Sequence, residues 1–556
     1  MIIPKDPVKR LEFFQEVVRT CEVSREDRIE RYAMFRNYYL YGRGHGETQS
    51  AWNNVYPTID LLTSFLYAAD TTRFSVKLGS GAPKSELKRA VPMAKRILEK
   101  WNESNASEMF KMTLEWALVY DSCILKFIRR GNTAHPFFVD PGCFGVYRED
   151  VSMLDRQEAF VHWYYMSFPE LERALTLHPQ GAKIINAVNA ARQKKDTPSE
   201  APGLVERVVL SAVEPTMMGE ANISLDVIPD YKADIAEDLV EMAEVYIWND
   251  EIEDYQVVTM ADNEHVIYDR QNFFMPKSSL WEAESGFVQV CPNPLPDYFW
   301  GRSEVAKLVP IQDRLQQRMD EIERLLAKAV DPPAAWTGNG INEEKLDALQ
   351  DPGAMISIGG DPTTKNVVFG VTVPTDVYRD VEKIEAQFLL ASGLTNVLLG
   401  RGESGVRSSG HANKLANLGS ARPKQRALQV EGALEKAATI LARCAYMDDD
   451  KEIVDEDDHK FILAQTASDF TVEVDGHSNS PVFMENQRED ALILFKSRAI
   501  SRERLIEMLA PPQTDQLVRE LRTKIIPNEQ AAEQQKAAAI AAGERAKSPP
   551  KLSSVG

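Results

Sequence analysis

Gly400-Arg401-Gly402-Glu403-Ser404-Gly405 has the GxGxxG spacing of a loop that can cradle phosphates. In a dinucleotide site that spacing works because a strand delivers the chain to a tight turn and a helix N-terminus faces the pyrophosphate. An acid about 20 residues on then ends the next strand. Here a helical pattern ending at Gly393 comes first, and an Ala-rich helix containing Pro423 follows. The segment therefore reads as a flexible loop between helices. No GxxxxGK[ST] sequence occurs, so the chain is not a P-loop motor. The acidic clusters Asp448–Asp450 and Asp455–Asp458 have carboxylates for a divalent cation but no positioned base or lysine beside them. They read as a solvated connector. The histidines take neither HxxxH nor HExxH spacing, and there is no GxSxG elbow. The sequence thus predicts no catalytic residue, no metal site and no cofactor.

One stretch is basic. Arg401, Arg407, Lys414, Arg422, Lys424 and Arg426 stand against Glu403 alone. Two readings stay open. They form a solvated helix face or partners for acidic neighbouring subunits, or they make transient contacts with a phosphate backbone. The whole chain carries a formal net charge of -20, which argues against tight binding of nucleic acid. It does not exclude DNA passing close by, because an acidic wall repels phosphates and prevents sticking.

The 556 residues are 44% hydrophobic, enough for several domains with a large buried core. No apolar run reaches the length that crosses a bilayer, so no membrane partner is expected. The N-terminus lacks the apolar core of a signal peptide. Cys21, Cys123, Cys143, Cys291 and Cys444 are scattered, without a CxxC pair. They read as reduced, mostly buried thiols of a cytosolic setting.

Residues 1–70 read as helices, with Ser24 and Asp27 at capping-box spacing ahead of Ile29 and a further helix over Trp52–Tyr67. Residues 71–295 read as mixed α+β. Helices near 85–103 and 106–120 precede strands at Cys123–Ile128, Phe137–Asp140, Phe144–Arg148 and Ala159–Tyr165. Pro169–Ala191 reads as helix, Met242–Trp248 and Tyr255–Met260 as strands, and Asp262-Asn263 as the turn that follows. A kinked helix is expected over His411–Met447, a strand at Phe470–Val474, two or three helices over 482–525, and a frayed tail from Pro527.

The most informative pattern lies between Gly301 and Gly393. Val305, Leu308, Ile311, Leu315, Met319, Ile322, Leu326 and Ala329 fall on one helical stripe, which Asp331-Pro332-Pro333 stops. A turn-rich insert runs to Pro374. A second helix then carries Val377, Val381, Ile384 and Phe388 on one stripe. Two helices bracketing a small excursion make a stalk that presents a head, an arrangement that serves protein assembly. Tyr298, Phe299, Trp300 and Trp336 near the stalk ends read as core or interface residues.

LEWALVYDSCILKFI (114–128), FFVDPGCFGVYRED (137–150), CPNPLPDYFWGRSEVAKLVPIQDRLQQRMDEI (291–322), LDALQDPGAMISIGG (346–360) and FLLASGLTNVLLGRGESGVRSSGHANKLA (388–416) follow one another in this order. The set resembles the portal proteins, or head-to-tail connectors, of tailed bacteriophages. Asp121-Ser122 stands where that family commonly has a glycine. The resemblance implies an α+β protomer. Its parts would be N-terminal helices and wing (1–295), first stem helix (296–330), clip (331–374), second stem helix (375–393), channel loop (394–409), kinked channel helix (410–447), wing return (448–481), crown (482–526) and flexible tail (527–556). It implies a dodecameric ring at one capsid vertex, a conduit for double-stranded DNA during packaging and ejection. The protein would be assembled in the host cytoplasm and reside in the virion. Partners would be further copies of the chain, the terminase large subunit, the major capsid or scaffolding protein, and neck, adaptor and tail proteins. The DNA-channel residues would be Arg401, Arg407, Lys414, Arg422, Lys424 and Arg426. The docking clip would use Trp336, Asn339, Asn342 and Met355, and stem packing Leu315, Met319, Ile322, Leu326, Val381, Ile384 and Phe388. The alternatives are a structural adaptor or scaffold of another assembly, and a metal-dependent nuclease using the acidic clusters.

Overall fold

The computed structural model describes residues 1–43, 52–79, 83–176, 178–195, 239–337, 352, 355–358, 367–368, 374–394, 421–454, 459–474, 491–509, 517 and 520–521. The chain is mixed α+β, with several small sheets rather than one large one.

The chain opens on helix α1 (Pro7–Tyr41). The Asp6 side chain accepts from the amides of Val8 and Lys9, Pro7 takes the first turn, and Gly42 closes the far end with φ 72°. The expected start at Ser24 is corrected. Ser24 lies in mid-helix, and its hydroxyl donates to the Cys21 carbonyl at 2.8 Å. The helix runs through because its buried stripe is unbroken, from Phe14, Val17 and Cys21 to Arg28, Ile29 and Tyr32. Helices α2 (Val55–Leu66), α3 (Lys84–Leu87), α4 (Ala90–Glu103) and α5 (Ala106–Tyr120) follow, with strand β1 (Phe74–Leu78) after α2.

Strands β2 (Cys123–Arg130), β3 (Thr133–Val139) and β9 (Phe287–Val290) form a three-stranded antiparallel sheet in the order β3-β2-β9. Strands β4 (Phe144–Val146), β5 (Ala159–Ser167), β6 (Leu239–Asn249), β7 (Asp254–Ala261) and β8 (His265–Gln271) form a five-stranded antiparallel meander. The β7–β8 turn is the expected Asp262-Asn263, with φ 48° and 54°. Alternation along β5 and β6 sorts the two faces of the meander. Val161, Trp163 and Val245 meet Phe14, Val17 and Cys21 of α1, while Phe160 and Tyr246 meet Phe287 and Trp300 of the smaller sheet and its exit. The helix expected over Pro169–Ala191 is two: α6 (Phe168–Leu175), capped by Ser167 and Glu170, and α7 (Gly181–Lys195). Pro179, which lacks an amide hydrogen, lies between them.

Helix α8 (Val305–Val330) and helix α9 (Thr375–Ser392) pack against each other. Between them, β10 (Ala334–Thr337) pairs in parallel with β11 (Met355–Ile358) and antiparallel with β12 (Val367–Val368). Helix α10 (Ala421–Asp448) then crosses the largest core, where Val430, Leu434 and Leu441 meet α2, α4 and β9. Strands β13 (Ile453–Val454) and β14 (Lys460–Phe461) pair with each other, and β15 (Phe470–Val474) pairs with β1, joining two segments remote in sequence. Helix α11 (Arg502–Leu509) falls within the expected 482–525 helices. The tail from Pro527 and the part before Ala421 of the helix expected over His411–Met447 lie outside the described residues.

Candidate assembly and channel site

The helical pair is rooted by polar contacts before it extends as a stalk. Ser303 donates to the Val119 carbonyl at 2.5 Å, and the Glu304 amide donates to the Leu118 carbonyl at 2.9 Å. The Glu304 carboxylate is fully buried and accepts from Arg426 Nη2 at 2.9 Å, Lys307 Nζ at 2.8 Å and Asn293 Nδ2 at 3.1 Å. Arg426 Nη1 reaches the Ser392 carbonyl at 2.9 Å. One buried ion pair thus ties the start of α8, the end of α9 and the first described turns of α10. Gln312, also fully buried, holds α8 to the N-terminal helices through the Trp52 carbonyl (2.9 Å) and the Asn54 amide (3.2 Å), and Tyr38 donates to Asp313 at 2.6 Å.

Beyond this root the stripe residues meet across the pair. Leu315, Ile322, Ile384 and Phe388 are buried, and each contributes about 1.5–3 kcal/mol. Met319 and Val381 are half-buried against them. Leu326 differs, being 42% exposed. Outer contacts are ion pairs of Arg314 and Arg318 with Asp380, at 3.3 and 3.0 Å, which contribute little in water. Trp336 and Met355 stand in neighbouring strands of the small sheet, with side chains outside the description; Asn339 and Asn342 lie outside the described residues.

Arg401, Arg407 and Lys414 lie outside the described residues, and Arg422 is in α10 with its side chain outside the description. Lys424 is half-buried in the same helix. Arg426 is corrected: only 8% exposed and bonded to Glu304 and Ser392, it is closed to a passing phosphate. Glu304 draws it inward because a fully buried carboxylate needs a paired cation.

The connector reading fails for two carboxylates. Asp448 takes a bidentate contact from Arg129 at 2.7 and 2.9 Å. Asp449 takes one from Arg96 at 2.7 and 3.1 Å. Burial works against the Asp449 charge, but the Arg96 hydrogen bonds and the Arg96 and Lys100 charges outweigh it and hold the carboxyl below its usual range. Asp455–Asp458 lie outside the described residues. Among the described residues no three potential ligands gather around a metal position, and no helix is long and apolar enough to cross a membrane. All five cysteines are free; four are buried and Cys291 is half-buried.

Sequence reading passed over two buried polar groupings. Lys126, His162 and Glu244 each sit at an inward position of a strand otherwise apolar on that side. A charge inside such an alternation was the available signal. Arg28, 1% exposed, stacks 3.6 Å over the Trp300 ring and donates to the Pro141 and Phe144 carbonyls. Neither a protein-family model nor a curated protein matches this sequence.

Proposed function

We propose that this chain is the protomer of a bacteriophage portal. In this reading it forms a dodecameric ring at one capsid vertex, through which DNA enters and leaves. The observation that carries the reading is the packed pair α8 and α9 with a three-stranded head between them, rooted on α10 by Glu304, Arg426 and Ser392. The pair would be the stem, the small sheet the clip and α10 the channel helix. The clip would dock the terminase large subunit first and neck or tail proteins later, and the wing would meet the capsid or scaffolding protein. Arg401 and Arg407 would touch DNA in transit weakly, through contacts that fade with salt. The large apolar residues left exposed on the pair support assembly: Leu326 and Val330 on α8, Tyr378 and Leu390 on α9. Neighbouring copies in a closed ring would cover them. The Arg partners of Asp448 and Asp449 count against the nuclease alternative, since those carboxylates are already committed.

Light scattering and negative-stain images of the purified chain test the reading. The expected result is a closed ring with an axial hole. A particle that stays monomeric at micromolar concentration across several salt conditions would overturn it.

A further inference from the structure

Helix α1 packs on one face of the five-stranded meander and carries two buried arginines on that side, Arg25 and Arg28. Arg28 is fully committed. It meets Glu149 at 3.2 Å and donates to the Pro141 and Phe144 carbonyls, each at 3.3 Å. Arg25 is only 5% exposed, and its guanidinium lies 4.3 Å over the Trp163 ring of β5. The ring fits there because Gly145 of β4 has no side chain. A Cβ at that position would fall 2.7 Å from the Trp163 ring and 2.9 Å from the Cys21 carbonyl of α1.

The Arg25 charge has no counter-charge. Among the described residues the other buried arginines and lysines each meet a carboxylate. Neither Glu22 on the same helix nor Glu241 on β6 makes an ion pair with Arg25. Two nitrogens of its guanidinium, Nε and Nη1, are sealed from solvent without a hydrogen-bond acceptor; Nη2 is not sealed. A buried guanidinium left in this state costs free energy. A water at Nη2 would supply a hydrogen bond but no charge, whereas an anion supplies both. Trp163 covers one face of the group and favours the cation. A carboxylate or phosphate is gripped by a pair of neighbouring N–H groups, and each such pair on Arg25 includes a sealed nitrogen. A spherical anion needs no second donor in a fixed place, so the open Nη2 suits a halide.

We propose that Arg25, on its Trp163 platform, binds a single halide ion. The proposal is independent of the ring reading. Its test is the chloride nuclear magnetic resonance line width in the presence of the full chain. The wild type should broaden the chloride line, and excess bromide should reverse the broadening by taking the same site. Arg25→Met, which puts an unbranched apolar side chain in place of the cation, should lose it. Exchanging sodium gluconate for sodium chloride at constant ionic strength should raise the wild-type Tm by about 2 °C once chloride is roughly a hundredfold above its Kd, and should leave that of Arg25→Met unmoved. Absence of broadening by the wild type, or broadening that bromide leaves in place, overturns the proposal. So does a variant whose line width or chloride-dependent Tm matches the wild type. Sulfate that displaces chloride as well as bromide does would also overturn it, by assigning the site to oxyanions.

Discussion

Asp121 shows how much one side chain can be asked to do. It ends α5 with φ 157°, a backbone that suits glycine better than aspartate. Its Oδ1 accepts from the Tyr32 hydroxyl at 2.8 Å and the Ser122 amide at 2.7 Å. Burial pushes the carboxyl up to about 7 from 3.8, with the Tyr32 hydrogen bond and the Arg28 charge pulling the other way. A carboxyl whose folded pKa lies above its unfolded one binds its proton more tightly in the native state. Its stabilisation is fully present below pH 3.8 and is lost as pH rises through about 7. Asp121→Asn, which keeps the acceptor and removes the charge, should equal the wild type in acid. It should exceed it by up to roughly 4 kcal/mol above neutrality. Urea midpoints of both proteins across the acid-to-neutral range check this; parallel pH profiles would sink it.

At the scale of elements, the α8–α9 pair divides into a root and a stalk. The root is held by Glu304, Gln312 and Arg426, all buried, so it moves with the body. The stalk buries one stripe and leaves Leu326 42% and Leu390 72% exposed. A soluble protein carries isolated exposed leucines without consequence, and replacing them changes stability by about 0.5 kcal/mol or less. At a subunit interface the same change places a desolvated charge in an apolar contact. Leu326→Glu with Leu390→Glu is therefore expected to leave the Tm within a few degrees of wild type while abolishing ring formation. Sedimentation velocity separates the two species, and intact rings in the variant would remove these faces from the proposed interface.

At the scale of the whole molecule, the net charge of -20 works against assembly. Copies arranged in a ring repel one another, and the repulsion is screened over about 30 Å at 0.01 M salt but about 8 Å at 0.15 M. The ring fraction should therefore rise over that range of ionic strength. A fall would mean that attraction between basic and acidic surfaces governs association instead.

Local signals were legible in the sequence wherever the decisive chemistry lies within a few residues. Asp331-Pro332-Pro333 stops α8, Gly393 ends α9 with φ 78°, and alternation gives β15 at Phe470–Val474 as read. The stripe of the α8–α9 pair was legible for the same reason, because helical periodicity marks a buried face without naming its partner. Strands β1, β8 and β9 were not anticipated; β1 finds its partner in β15, far away in the sequence. The same limit governed the charges. Arg426 reads as basic among basic residues and Asp449 as acidic among acidic ones, yet each is buried against a partner remote in sequence, Glu304 and Arg96. Sequence alone determined the elements whose stops and stripes are local, such as α8, α9 and β15, since capping, turn and periodicity act over one or two turns. The tertiary structure alone decided which charges are free and which are spent, because a buried ion pair depends on which distant residue the fold brings within about 3 Å.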